Sequence, residues 1–217
     1  MPRDSRTNQL RERVAAAAAR IIAEDGVLDY SLAKRKAARQ LGMDALHALP
    51  DNVQIEEALR AYQELYQADE HPLRIRHLRQ EALKAMQVLA EFRPYLRGSV
   101  LKGTAGRYSG IDLQLFAEDS KELELFLLNR KLKYEVTESR NRGPNERGIP
   151  VFTLDWDGTP LHLAVHPTND ERIASNASGR GQERMSATAL QQLLEVDTQG
   201  LEESMPLTPG TGRVEGR

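Results

Sequence analysis

Cysteine is absent from this 217-residue chain, which excludes disulfides, thiolate metal sites and a cysteine nucleophile. Long apolar runs are missing too. None approaches the roughly 20 residues that a membrane-spanning helix requires, so no membrane partner is expected. The opening stretch MPRDSRTNQLRERV has basic residues but no apolar centre of the signal-peptide kind, and a cytoplasmic, bacterial-type protein is the expectation. Nor is there a surplus of positive charge. Thirty Lys and Arg against 32 Asp and Glu leave a formal net charge of −2, which argues against a general nucleic-acid coat, normally a clearly basic protein.

What is present suffices for a folded core. Apolar residues make up 40% of the chain and charged ones 29%, which suits one domain of ordinary size or a small helical unit attached to a mixed one. The cations are unevenly spread. KRKAAR at 34–39 carries no acid, and Arg74 to Lys84 is also basic. Solvated helix faces are the ordinary reading of such clusters, and a phosphate-binding surface is the rarer one.

The first ninety-odd residues carry helical periodicity. LRERVAAAAARIIAEDG sets Leu10, Val14, Ala17, Ala18, Ile21 and Ile22 on one face, with Gly26 as a stop. Ser31 is placed to cap LAKRKAARQLG, and Asp51 or Asn52 to start VQIEEALRAYQELYQ. Pro72 leads into LRIRHLRQEALKAMQVLAEF, which Pro94 ends. From there the period changes. Residues 111–116 alternate like a strand, SKELELFLLNRKL reads as a helix capped by Ser120, and KYEVTE, IPVFTLDW and PLHLAVH read as strands. Asp157-Gly158 between the last two is a hairpin signal. A polar loop with Gly143 and Pro144 precedes IPVFTLDW, and a helix is expected over 185–195 from about Ser186. The expectation is an α+β chain: a helical region at 1–93, a small α+β domain with a mixed sheet at 94–197, and a disordered tail at 198–217.

Residues 98–116, GSVLKGTAGRYSGIDLQLF, hold the chemistry. A Gly-Ser turn offers backbone N–H groups and a hydroxyl to phosphate, with no Cβ in the way at the glycine. Two carboxylates at i, i+2 on a strand point from one face and suit the oxygen-ligated Mg²⁺ ion. Here Asp112 has a glycine, Gly110, two residues before it, so only one of the two positions is an acid.

This stretch resembles the signature of the polymerase-β-like nucleotidyltransferase superfamily, in a divergent and poorly characterised bacterial branch with a degenerate Asp-x-Asp motif. The resemblance covers residues 98 to about 166. It implies that Gly98 and Ser99 hold the phosphates of ATP or another nucleoside triphosphate, that Lys102 and Arg107 offset their charge, and that Asp112 ligates Mg²⁺ or Mn²⁺. Asp112 and Ser99 are then the catalytic candidates. The acceptor would be a hydroxyl of an RNA, a protein or a small molecule, and a homodimer is compatible with the pattern. The family's third carboxylate falls on LHLAV, where this chain has His162, a low-ranked nitrogen ligand better suited to Zn²⁺ or Mn²⁺ than to Mg²⁺. Gln114, two residues beyond Asp112, and Asp155 and Asp157 at the hairpin are further possible ligands, and His166 could pair with His162.

Two rival readings stand beside that one. The fold could persist as a catalytically inactive binding or regulatory protein. Alternatively, IIAEDGVLDYSLAKRKAARQLGM resembles the helix–turn–helix of tetracycline-repressor-like regulators, with Lys34, Arg35, Lys36 and Arg39 offering phosphate contacts to DNA.

Overall fold

A computed structural model of the chain describes residues 2–42, 49–139, 148–171 and 183–204. Three helices come first: α1 (Pro2–Asp25), α2 (Tyr30–Gln40) and α3 (Asn52–Tyr66). The apolar stripe of α1 is buried as its spacing requires, and Val14, Ala18, Ile21 and Ile22 pack with Ala33 and Ala37 of α2 and Ile55 and Leu59 of α3. Gly26 ends α1 at φ +68°, a conformation that L side chains rarely adopt. The cap of α2 is Asp29 rather than Ser31: its carboxylate accepts from the Ser31 and Leu32 amides at 2.7 and 3.2 Å. Asp51 caps α3 in a reciprocal box with Gln54.

Helix α4 (His71–Val88), although continuous in sequence with this helical stretch, packs elsewhere. Its Ile75, Leu78, Ala82, Ala85 and Met86 join the core of the sheet, so the apolar packing changes hands between α3 and α4, ahead of residue 93. A 3-10 turn at Ala90–Phe92 and a positive φ at Arg93 lead through Pro94 into the sheet. The sheet elements are β1 (Tyr95–Arg97), β2 (Ile111–Ala117), β3 (Tyr134–Ser139), β4 (Ile149–Trp156), β5 (Thr159–Pro167) and β6 (Met185–Ser186). Between them lie the one-turn helix α5 (Gly98–Lys102) and α6 (Ser120–Asn129), and α7 (Ala187–Ser204) follows β6. The expected α+β class holds.

The strand order is β3-β4-β5-β2-β1-β6, and β2 and β5 run parallel while the other neighbours are antiparallel. The β4–β5 hairpin turns through Asp157 and Gly158 at φ +51° and +82°, as the two-residue turn demands. Asp119, not Ser120, caps α6, again in a reciprocal box, here with Glu122. Residues 168–171 form a helical turn after β5, and α7 continues as helix through 198–204, part of the stretch expected as a disordered tail. The 143–144 loop, Arg172 and residues 205–217 lie outside the described residues.

Alternation along the strands sorts the two faces of the sheet. Ile111, Leu113 and Leu115 of β2 and Leu161, Leu163 and Val165 of β5 are buried together with α4, with Leu123 and Leu127 of α6, and with Leu190 and Leu194 of α7. The other face carries Asp112, Gln114 and Phe116, beside His162 and His166. Half of this second face is closed. The Arg184 guanidinium lies 4.4 Å from the Tyr95 ring centre and 5.7 Å from that of Phe116, and Glu171 accepts from Tyr95 Oη at 3.2 Å and Arg93 Nη1 at 2.6 Å. Gln114 and Phe116 are buried beneath that plug. The Asp112 end stays open.

Candidate functional site

At the open end is a cleft of about 310 Å³, within the usual range for small-molecule sites. The sheet contributes Asp112 and His162, the α5 segment contributes Gly98, Ser99 and Lys102, and the loop before β2 contributes Thr104, Ser109 and Gly110. Ile22, Leu28, Tyr30, Glu56 and Leu59 of the helical unit form the remaining wall. Five of the six candidates drawn from the sequence therefore converge: Gly98, Ser99, Lys102, Asp112 and His162. Arg107 does not. It is exposed on the loop and absent from the cleft lining.

Backbone geometry brings the Gly-Ser pair onto Asp112. Arg97, the last residue of β1, is the antiparallel register partner of Asp112, so the chain passes directly over the carboxylate as it leaves the strand. Gly98 stands there at φ +70°, and a Cβ on it would come within 2.3 Å of Asp112 Oδ2. On the other side of Asp112, the parallel register sets His162 opposite it. His162 Nδ1 lies 3.2 Å from Thr153 Oγ1 on β4. Its Nε2 is turned toward Gly110, where an added Cβ would meet Nε2 at 2.8 Å and the Pro160 carbonyl oxygen at 2.7 Å. The position of the missing carboxylate is thus filled by a neighbouring strand.

Burial raises the Asp112 pKa above its ordinary value, and the opposing pull of His162 and Arg97 does not offset it. Lys102 Nζ is paired with Glu56 of α3. That partner is 46 residues away in sequence, and no local pattern marks it. The Gly103–Gly106 segment forms a tight loop, closed by the Gly106 amide donating to Ser109 Oγ at 2.9 Å. Arg79 of α4 supports α5 from behind, donating to the Val100 and Leu101 carbonyls at 3.3 Å each and reaching Asp197 of α7 at 3.4 Å.

The other possible ligands go elsewhere. Gln114 is buried opposite Tyr95 and Ala164. Asp155 accepts from the Gly158 amide at 3.0 Å, serving the hairpin. His166 packs against Phe116, with ring centres 6.0 Å apart, and lines a different depression from His162. Among the described residues no three His, Asp or Glu side chains converge as a metal site. In the helical unit, Lys34 donates to Asn52 at 2.9 Å and Lys36 pairs with Asp25 at 2.6 Å, so both are engaged within the fold.

Two histidines outside the cleft give a pH prediction. Burial lowers the pKa of both His71 and His166 below the ordinary 6.5. Below that value the unfolded chain takes up protons that the folded chain resists, so stability falls as the pH drops. Asp112 has the opposite sign: with a raised folded pKa, its contribution is present at low pH and lost as pH rises through that value. The expected result is a lower Tm at pH 5.5 than at pH 7.5, with a flatter profile in His71→Gln/His166→Gln. An unchanged slope in that double variant would assign the effect to other groups.

No protein-family model and no curated protein matches the sequence. Among solved structures the chain is similar to one in the GLD-2/RNP-8 complex, with a TM-score of 0.29 and 20% identity over 49% of this chain and 44% of that one. It is also similar to a cytoplasmic RNA terminal U-transferase, with a TM-score of 0.26 and 16% identity over 56% of this chain and 31% of that one. This chain spans less than half the length of either. Likeness at this level carries no weight for activity, which has to be judged from the cleft itself.

Proposed function

We propose that this protein is a binding protein of nucleotidyltransferase type, which holds a nucleoside or nucleotide in the Asp112 cleft without transferring a nucleotidyl group. The observation that carries the reading is the packing at Gly110, where the Pro160 carbonyl and His162 Nε2 occupy the space a second carboxylate would need. The placement of Gly98 and Ser99 over Asp112, with His162 in register on the parallel neighbour, supports descent from that architecture.

The metal chemistry of such enzymes is not matched by the residues present. A two-ion clamp uses several carboxylate oxygens to hold Mg²⁺ in octahedral geometry. Here one carboxylate and one imidazole face each other across neighbouring strands, and Glu56, the other acid lining the cleft, is held by Lys102. No catalytic step is therefore assigned to Mg²⁺ or Mn²⁺. Transfer from a nucleoside triphosphate to an RNA, protein or small-molecule hydroxyl is the competing reading.

Calorimetric titration with the four nucleosides and their triphosphates, in EDTA and in Mg²⁺ or Mn²⁺, separates the two. Binding that persists in EDTA, with no incorporation of α-labelled phosphate into any acceptor, is expected. Metal-dependent incorporation abolished in Asp112→Ala would establish the enzyme instead, and no binding of any nucleoside or nucleotide would remove both readings.

A further inference from the structure

The positive charge lining the cleft is already committed to an acid. Lys102 is its sole lysine and no arginine lines it among the described residues. The Lys102 ammonium is in an ion pair with Glu56, whose side chain is only 14% exposed. Asp112 is a second acid facing the same space. Arg97 lies beside Asp112 on the sheet but is absent from the lining, and Arg107 is exposed outside it. A triphosphate entering here would have to pull Lys102 away from Glu56 and then sit beside a freed carboxylate. With no converging metal ligands to supply countercharge, that arrangement is repulsive.

The wall formed by the helical unit places apolar side chains beside Glu56. Ile22 and Leu59 are buried at its base, while Leu28, at 55% exposure, and Tyr30 stand at the mouth. An exposed leucine and a half-buried aromatic side chain lining the same cleft offer a surface for a planar apolar group. Ser99 supplies a hydroxyl and the Lys102–Glu56 pair supplies both a donor and an acceptor, which together suit a ligand's hydroxyl groups without requiring charge.

We propose that the cleft takes an uncharged nucleoside, its base against Leu28, Tyr30 and Leu59 and its ribose hydroxyls toward Ser99 and the Lys102–Glu56 pair, and that Glu56 excludes the phosphorylated forms. This rests on the binding reading above and specifies its ligand. Glu56 becomes the specificity-determining residue, held in place by α3 of the helical unit.

The test is calorimetry on the full chain without divalent cations, titrating adenosine, guanosine, cytidine and uridine against the corresponding triphosphates. At least one nucleoside is expected to bind about tenfold or more tightly than its own triphosphate, and Glu56→Gln is expected to narrow that gap by about tenfold. The wild-type comparison stands whether or not the variant folds. A triphosphate binding as tightly as its nucleoside would overturn the proposal while leaving the binding reading intact. So would a ratio unchanged in a folded Glu56→Gln protein. Failure of every nucleoside and every triphosphate to bind would remove the binding reading as well.

Discussion

Restoring the missing carboxylate by Gly110→Asp is expected to destabilise the protein by about 3 kcal/mol or more and to confer no Mg²⁺ binding. Gly110 is buried, and its hypothetical Cβ meets the Pro160 carbonyl oxygen at 2.7 Å and His162 Nε2 at 2.8 Å. The imidazole could swing aside at some cost, but the carbonyl belongs to β5, which is fixed by hydrogen bonding to β2 and β4. Adding His162→Asp, the substitution that would complete the carboxylate set, therefore removes only one of the two obstacles. It also introduces a third acid into a region where burial already raises the Asp112 pKa. Urea denaturation of Gly110→Ala isolates the steric part, expected at about 1–3 kcal/mol. Gly106→Ala in the same segment is the control, since a Cβ there meets nothing within 4 Å and its cost should stay within about 0.5 kcal/mol. Equal midpoints for the two alanine variants would refute the packing argument.

In the sequence, Gly110 is a gap in an acidic pair; in the fold, it is the position that lets β5 lie close. The difference is a contact between residues 110 and 160–162, invisible to any local pattern. The same holds for Glu56, whose partnership with Lys102 joins α3 to α5. Where the physics is local, sequence and fold agree: the stripe of α1, the strand at 111–116 and the Asp157-Gly158 turn follow from periodicity and backbone preference, although β2 is buried on both faces beyond Asp112. Asp29 and Asp119, not Ser31 and Ser120, cap α2 and α6, because an acid stands just ahead of each serine and its carboxylate takes the amide hydrogen bonds. β1 and β6, at three and two residues, are too short to show alternation at all. The pairing of Asp112 with His162 was legible only as a family correspondence, and the parallel β2–β5 register gives it a physical basis.

Gly98 offers the sharper test of what the Gly-Ser pair does. Gly98→Ala is expected to cost about 2–4 kcal/mol, from two separable sources. A non-glycine residue at φ +70° costs about 1–2 kcal/mol, and the 2.3 Å approach to Asp112 Oδ2 adds a steric term of about 1–2 kcal/mol. Asp112→Ala removes the second source but not the first, although Asp112 Cβ stays within 3.3 Å of the new methyl group. Alone, Asp112→Ala is expected to change stability by about 1 kcal/mol or less, because the carboxylate it deletes is one that burial disfavours. The double variant should therefore recover about 1–2 kcal/mol relative to additivity, measured as the coupling energy of a urea-denaturation cycle. Strict additivity would mean that Gly98 is required by backbone conformation alone, independently of Asp112. A coupling of the expected size would mean that Asp112 sits against the backbone of the Gly-Ser turn, with its inner oxygen lodged where a side chain at 98 would be. That oxygen is then partly withdrawn from any ligand or cation in the cleft, which is the arrangement expected of a carboxylate kept for packing and polarity rather than for transfer chemistry.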